Sequence, residues 1–336
     1  MQYVADSTRY DRMEYRRCGN SGLLLPAISL GLWHNFGDTG NLERMRAICR
    51  TAFDAGITHF DLANNYGPPA GSAEKNFGRI RKEDLAPYRD ELIISTKAGY
   101  DMWPGPYGNF GSRKYLLASL DQSLMRMGLD YVDIFYHHCP DPNTPLEETM
   151  GALAQAVQSG KALYVGLSNY DGATMQKAAA ILKALHCPFV INQNRYSMLD
   201  RTVERNGLLD ACQTAQKGLI LFSPLAQGLL TDRYLHGSIP ADSRIQTDGR
   251  FLHAAQLTPE LLAKLHALQD LAQQREQSLA QLALCWLLQK QTVTSVLVGA
   301  SRPEQLLDNL QACAAAPLTA AQQQKIDTIL GISAET

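Results

Sequence analysis

Eight times along this chain an amphipathic stretch with helical spacing stops at Gly or Pro, and a short β-rich apolar run follows that ends on a polar side chain. AFDAG leads into ITHFDLA, VQSG into KALYVGLSN, LKALHCP into FVINQN and AQKG into LILFSPL, each Gly or Pro standing where a helix would end. Strands rich in Val, Ile and Leu that alternate with helices call for a parallel sheet with the helices outside it. The predicted strands are AISLGLW (27–33), ITHFDL (57–62), LIISTK (92–97), VDIFYHH (132–138), ALYVGLS (162–168), FVINQN (189–194), LILFSPL (219–225) and SVLVGA (295–300). Their starts recur at about 30-residue intervals, as βαβ units require, except before the last. There residues 229–257 read LLTDRYLHGSIPADSRIQTDGRFLHAAQL, a long polar loop of the kind that makes an active-site lid.

Eight such units can close into a (β/α)8 TIM barrel. An open doubly wound sheet would normally advertise G-x-G-x-x-G after its first strand, and GLWHNFGDTG lacks it; there is no Walker P-loop. Outside the repeats, YRRCGNSGLLLP (15–26) reads as a hairpin turning at Gly19-Asn20, and LTAAQQQKIDTIL (318–330) as an added C-terminal helix. With no low-complexity linker and no shift in composition, residues 1–336 are expected to form a single domain.

A net charge of −2, from 31 basic and 33 acidic residues, argues against a nucleic-acid or anionic-membrane partner. The seven cysteines (18, 49, 139, 187, 212, 285 and 313) are scattered with no C-x-x-C spacing, so neither a disulfide frame nor a zinc site is expected. No apolar run approaches the roughly 20 residues of a spanning helix, and the first residues lack a secretion signal's apolar core. A soluble, cytoplasmic protein follows as the expectation.

Catalytic groups of such barrels gather at the carboxyl ends of the strands. Those ends carry Asp61, Lys97, His138, Ser168 with Asn169, Gln193 and Ser223, with Ser301 after the last strand and the aromatic Trp33 after the first. Tyr66 stands five residues after Asp61, a spacing that shares a face of neither helix nor strand, so the pair belongs to a strand end and its loop. Taken singly, Asp61 would be a cap, Lys97 a surface lysine, Tyr66 a half-buried aromatic and His138 a core histidine. Neighbours on a strand point to opposite faces, so His137 cannot join His138 at one site, and the adjacent pair does not chelate one metal ion. No metal is expected.

Barrel closure would bring Asp61, Tyr66, Lys97 and His138 together, and that set resembles the catalytic tetrad of the aldo-keto reductases. GLLLPAISLGLW, FDLANNYG, ISTKAG, YVDIFYHH, GLSNY, INQNRYS, FSPLAQGLLT and GASRPEQLLDN match the family's segments in order over nearly the whole chain. Within the family, YVDIFYHH and DPNTPLEET look most like the branch of potassium-channel β-subunits and bacterial L-glyceraldehyde 3-phosphate reductases.

The resemblance implies reduction of small aldehydes with NADPH, with L-glyceraldehyde 3-phosphate and methylglyoxal as candidate substrates. Tyr66 would be the general acid, its pKa of about 10 lowered by the Lys97 ammonium. Asp61 would hold Lys97, and His138 would place the carbonyl oxygen. For the cofactor the resemblance implies Trp33, Ser168, Asn169 and Gln193 around the carboxamide end, and Phe222 stacked on the nicotinamide. Ser223, Leu225, Gln227 and Gly228 would hold the pyrophosphate, with Arg233 and Arg244 adding charge. Gly299, Ser301, Gln305, Asp308 and Asn309 would meet the adenosine end. Ser301 to Glu304 also reads as a capping box, S-x-x-E with Pro303 in the first turn.

Many family members carry Lys before the matching serine and Arg four residues after it, where this chain has Ala300 and Gln305, which weighs on NADP against NAD. Trp33, Trp103 and Tyr107 are expected to line the substrate pocket, and Arg113 and Lys114 are candidates for a substrate phosphate. Two other functions fit parts of the pattern. A Schiff-base aldolase would use Lys97 as nucleophile, against which Asp61 and Tyr66 speak. A nicotinamide-loaded redox-sensing subunit of a channel is the alternative reading, although channel β-subunits carry Asn at the place of His138. The same branch implies a homo-oligomer, a tetramer or larger ring.

Overall fold

The computed structural model describes residues 3–235, 239–241 and 243–332. A two-stranded hairpin, β1 (Tyr15–Arg17) and β2 (Leu24–Pro26), precedes the barrel. Barrel strands then alternate with helices: β3 (Ile28–Gly31), α1 (Leu42–Asp54), β4 (His59–Asp61), α2 (Ser72–Ile80), β5 (Ile93–Ala98), α3 (Arg113–Met127), β6 (Val132–His137) and α4 (Leu146–Gln158). The second half continues with β7 (Ala162–Ser168), α5 (Gly172–Ala184), β8 (Phe189–Arg195), α6 (Thr202–Arg205), α7 (Leu208–Thr214) and β9 (Gly218–Phe222). After the long loop, which holds the single-turn α8 (Arg244–Thr247), come α9 (Pro259–Gln273), α10 (Leu279–Leu288), β10 (Ser295–Val298), α11 (Pro303–Ala314) and α12 (Ala320–Leu330). β3 to β10 pair in chain order, all parallel, and β10 closes on β3.

Each predicted strand is present: 162–168 keeps its bounds, 189–194 runs one residue further, 92–97 shifts by one, and the others are trimmed at one or both ends. The pleat divides every strand between two cores. Outward residues such as Leu30, Phe60, Phe135, Leu219 and Val296 pack with Ile48, Phe53, Leu120, Leu153 and Leu284 of the surrounding helices. Inward residues Ile134, Tyr136, Ile191, Ile220 and Leu297 form a smaller cluster with Cys18, Leu23 and Leu25, so the hairpin plugs the amino-terminal end. Tyr136 fits inside because β7 has no side chain opposite it: a Cβ on Gly166 would stand 2.3 Å from Tyr136 Cε1.

The capping expectation at α11 is not met. Arg302 is the N-cap, without a side-chain bond, and Ser301 instead places its N–H and hydroxyl 3.0 and 3.2 Å from Gln305 Oε1. Gln305, one residue past Glu304, has captured the serine. At α5 the cap is Asp171, accepting from the Thr174 N–H at 2.7 Å, so Ser168 and Asn169 are not used for capping.

Candidate active site

Parallel registry sets the site. Asp61 pairs with Ser95 across β4 and β5, and Lys97 with Tyr136 across β5 and β6. Period two then points His59 and Asp61 of β4, and Ser95 and Lys97 of β5, into the barrel together. Lys97 is fully buried, and its ammonium donates to Asp61 Oδ2 at 2.5 Å, to Leu62 O at 2.7 Å and to the Tyr66 hydroxyl at 3.2 Å. Three N–H donors meet three acceptors, so the nitrogen is saturated. Asp61 Oδ1 in turn accepts from Ser95 at 2.7 Å and Gln193 at 3.1 Å.

Beneath this cluster runs a buried polar column. His59 lies 2.9 Å from the Ser29 hydroxyl through Nδ1 and 2.9 Å from the Ser95 hydroxyl through Nε2. Ser29 meets Ser295 at 2.6 Å, and Ser295 donates to Pro26 O of the hairpin at 2.6 Å. The carboxylate that holds Lys97 is therefore braced from four other strands, directly by Ser95 of β5 and Gln193 of β8 and through the column by Ser29 of β3 and Ser295 of β10.

Burial sets the protonation states. Desolvation, then the Asp61 carboxylate, pushes the Tyr66 phenol well above its ordinary value. This differs from the lowering expected of a nearby ammonium: the desolvation of the half-buried Tyr66 and the Asp61 carboxylate together outweigh Lys97. Desolvation draws the Lys97 pKa down while Asp61 draws it back up. Burial, with Lys97 and His137 adding repulsion, pushes His138 well below the usual imidazole range, so it is neutral.

The His138 ring centroid lies 5.9 Å from that of Tyr66, and its Nδ1 is buried without a partner among the described residues. His137 faces the helices, its Nδ1 2.7 Å from the Tyr170 hydroxyl. Trp33 stands 6.1 Å from Tyr66 between ring centroids and packs on His34 and on Phe251 of the long loop. The Arg244 guanidinium sits 5.8 Å over Trp33; burial lowers its pKa to about 10, which leaves it charged at neutrality. Arg244 and Phe251 of the loop thus lie on the Trp33 side of the mouth, while residues 236–238 and 242 of the expected lid lie outside the described residues.

Other expected residues are placed as follows. Asn169 donates through Nδ2 to His138 O at 2.9 Å and lies 3.3 Å from the Ser168 hydroxyl. Phe222 ends β9, and the turn after it is closed by Ala226 N–H to Ser223 O at 3.0 Å and Gly228 N–H to Leu225 O at 2.9 Å, with Gln227 Nε2 3.3 Å from Ser223 Oγ. Arg233 follows at Asp232–Tyr234. Gly299, Ser301, Gln305 and the buried Asn309 gather where β10 meets α11. Asp308 is exposed and its carboxylate accepts from Gln281 of α10 at 2.8 Å. Trp103 packs on Tyr115 at 5.2 Å, whereas Tyr107 is 52% exposed with the Lys114 ammonium over its ring. Arg113 Nη1 donates to Gln155 and to Gly151 O of α4.

Two mouth residues escaped the sequence reading. Tyr100 packs on His138 with ring centroids 4.6 Å apart, and its carbonyl accepts from Tyr115 at 2.5 Å. Arg195 ends β8 with its guanidinium 5.8 Å over Phe222. Both follow directly on a strand-end motif, in ISTKAGY and INQNR, and that position was their available signal.

A closed parallel barrel with a buried Asp–Lys pair under a tyrosine and a histidine defines a class, and the sequence agrees with it. The sequence model of the Aldo/keto reductase family matches residues 27–330; the chain belongs to that family and is an oxidoreductase, of a kind that generally uses NAD(P)H. It is 62% identical over 317 residues to the L-glyceraldehyde 3-phosphate reductase of Escherichia coli (strain K12), covering 93% of this chain and 91% of that one. It is 34% identical over 310 residues to a probable voltage-gated potassium channel subunit beta of Oryza sativa subsp. japonica, covering 91% and 93%. A crystal structure of a thermostable aldo-keto reductase with the inhibitor epalrestat superposes with a TM-score of 0.74 at 30% identity, covering 94% of this chain and 100% of that one.

Proposed function

We propose that the protein reduces small aldehydes with NADPH, L-glyceraldehyde 3-phosphate and methylglyoxal among them, with Tyr66 as the general acid. The observation that carries this is the Tyr66 hydroxyl accepting from Lys97 at 3.2 Å. Its oxygen is engaged as an acceptor, so its own hydrogen is left for a carbonyl oxygen at the mouth, and burial keeps that hydrogen in place until it is needed.

His138, neutral, would place the carbonyl as a hydrogen-bond donor; removing one such donor typically costs about 2.7–4 kcal/mol of barrier. Lys97 and Asp61 position Tyr66 rather than attack: a Schiff-base role needs a free amine, and all three Lys97 hydrogens are engaged.

The residues fit a dinucleotide. Asn309 Nδ2 and Arg244 Nη1 are buried without a partner among the described residues, two donors that a nucleotide would satisfy. Ser168, Asn169, Gln193, Trp33 and Phe222 would hold its nicotinamide end, Ser223 to Gly228 with Arg233 and Arg244 its phosphates, and Gly299, Ser301, Gln305 and Asn309 its adenosine. The bound cofactor supplies a hydride. Arg244 and Arg302 supply the charge behind the choice of NADP over NAD. All seven cysteines are free thiols, in keeping with a cytoplasmic, reducing location.

The test is NADPH and NADH oxidation with L-glyceraldehyde 3-phosphate and methylglyoxal, for the wild type and Tyr66→Phe. We expect an NADPH preference and a kcat reduced about 10²–10⁴-fold in the variant with NADPH still bound. Equal turnover in wild type and variant would remove the assigned acid.

A further inference from the structure

Arg195 is the one residue of β8 whose side chain both follows Gln193 on the inward face and reaches solvent. The intervening Asn194 turns outward, donating to Tyr170 O at 3.1 Å. The Arg195 guanidinium lies over Phe222 at 5.8 Å, at the mouth where the Tyr100 ring packs on His138 at 4.6 Å. Gln193, two residues before Arg195 on the same inward face, reaches Asp61 at 3.1 Å, and Asp61 holds the Lys97 that meets Tyr66.

Other cations near the mouth are engaged. Lys97 pairs with Asp61 and Arg250 with Asp248, and Arg244, buried beside Trp33, is assigned above to the cofactor. Nearby carboxylates are also occupied, Asp101 by Asn109, and Asp141 by Thr144 and the Gly111 N–H. No carboxylate among the described residues lies within ion-pair distance of Arg195. A strand-end guanidinium that is neither paired nor buried, beside the reacting groups, can take an anion in its planar fork.

We propose that Arg195 anchors the phosphate of a phosphorylated short-chain aldehyde whose carbonyl lies at Tyr66 and His138. The inference rests on the reductase reading above and adds the residue that selects for phosphate. Arg113, a candidate in the sequence, opens α3 and turns its guanidinium to Gln155 and Gly151 O of α4.

The experiment compares kcat/KM for L-glyceraldehyde 3-phosphate and unphosphorylated L-glyceraldehyde in the wild type, Arg195→Ala, Arg195→Lys and Arg113→Ala, with the NADPH Kd measured for each. Expected is a fall of about 10- to 100-fold in the ratio of phosphorylated to unphosphorylated substrate in Arg195→Ala, carried by KM. Arg195→Lys restores part of it, and Arg113→Ala keeps the wild-type ratio. An unchanged ratio in Arg195→Ala overturns the anchor while leaving the reductase reading intact. So does an equal loss on both aldehydes with a raised NADPH Kd, which would assign Arg195 to the cofactor. Absence of turnover with either aldehyde in the wild type sinks the reductase reading, and the anchor with it.

Discussion

The Lys97 ammonium lies 2.5 Å from the Asp61 carboxylate with both side chains sealed from solvent, at most 2% exposed. A buried pair of this kind is weak evidence of added stability, because desolvation offsets much of the attraction. Its value here is geometric. Asp61 fixes Lys97, and Lys97 fixes the oxygen of Tyr66.

Removing one partner should therefore cost more than removing both. Lys97→Met leaves the Asp61 carboxylate with only Ser95 and Gln193, and the loss in urea denaturation should be about 3–5 kcal/mol. Asp61→Asn combined with Lys97→Met should be more stable than Lys97→Met alone. If the two changes simply add, the pair is not coupled as the distances imply.

Two fully buried imidazoles tie stability to pH. Desolvation lowers His59 and His137 to about 4 in the fold, against about 6.5 in an unfolded chain. The unfolded state binds more protons below pH 6.5, so this stability is complete above that pH and drains away as pH falls towards 4. It amounts to on the order of 3 kcal/mol for each histidine. Urea midpoints at pH 7.5 and 5.0 test it: the wild type should lose stability on acidification, and His59→Asn should lose less. A wild-type midpoint that holds steady over this range would contradict the assigned states.

Gly166 makes room for Tyr136 inside the barrel. Gly166→Ala would press a Cβ to 2.3 Å from the ring, an overpacking that should cost about 1–3 kcal/mol. Shrinking the ring with Tyr136→Leu in the same chain should recover part of that cost. Thermal unfolding of the single and double variants decides, and strictly additive losses would mean that the clash is relieved elsewhere.

The barrel was legible in the sequence because strands buried on both faces read as continuous apolar runs, and the Gly and Pro stops separated them from helices. Asp61, Tyr66, Lys97 and His138 were legible as strand-end residues, and the structure brings them together. What was not legible depends on closure. Pleat alternation alone puts His59 with Asp61 and Arg195 with Gln193, but which inward side chains touch follows from the stagger between strands. The contacts of His59 with Ser29 and Ser95, and of Tyr100 with His138, come only from that packing. The Tyr66 pKa was misjudged for a related reason: composition does not reveal how much water a finished barrel excludes. At α11, S-x-x-E lost to the neighbouring Gln305, a competition between two local hydrogen bonds that spacing does not settle.

The hydroxyls of Ser29 and Ser295 meet across 266 residues of sequence. They join the first barrel strand to the last, and the column above them supports Asp61. During translation the seven earlier strands wait on the eighth, which emerges late, before this support can be assembled. Competence of the site is thus tied to the arrival of β10, and a product lacking β10 would expose the interior serines and histidine to water instead of presenting a working mouth.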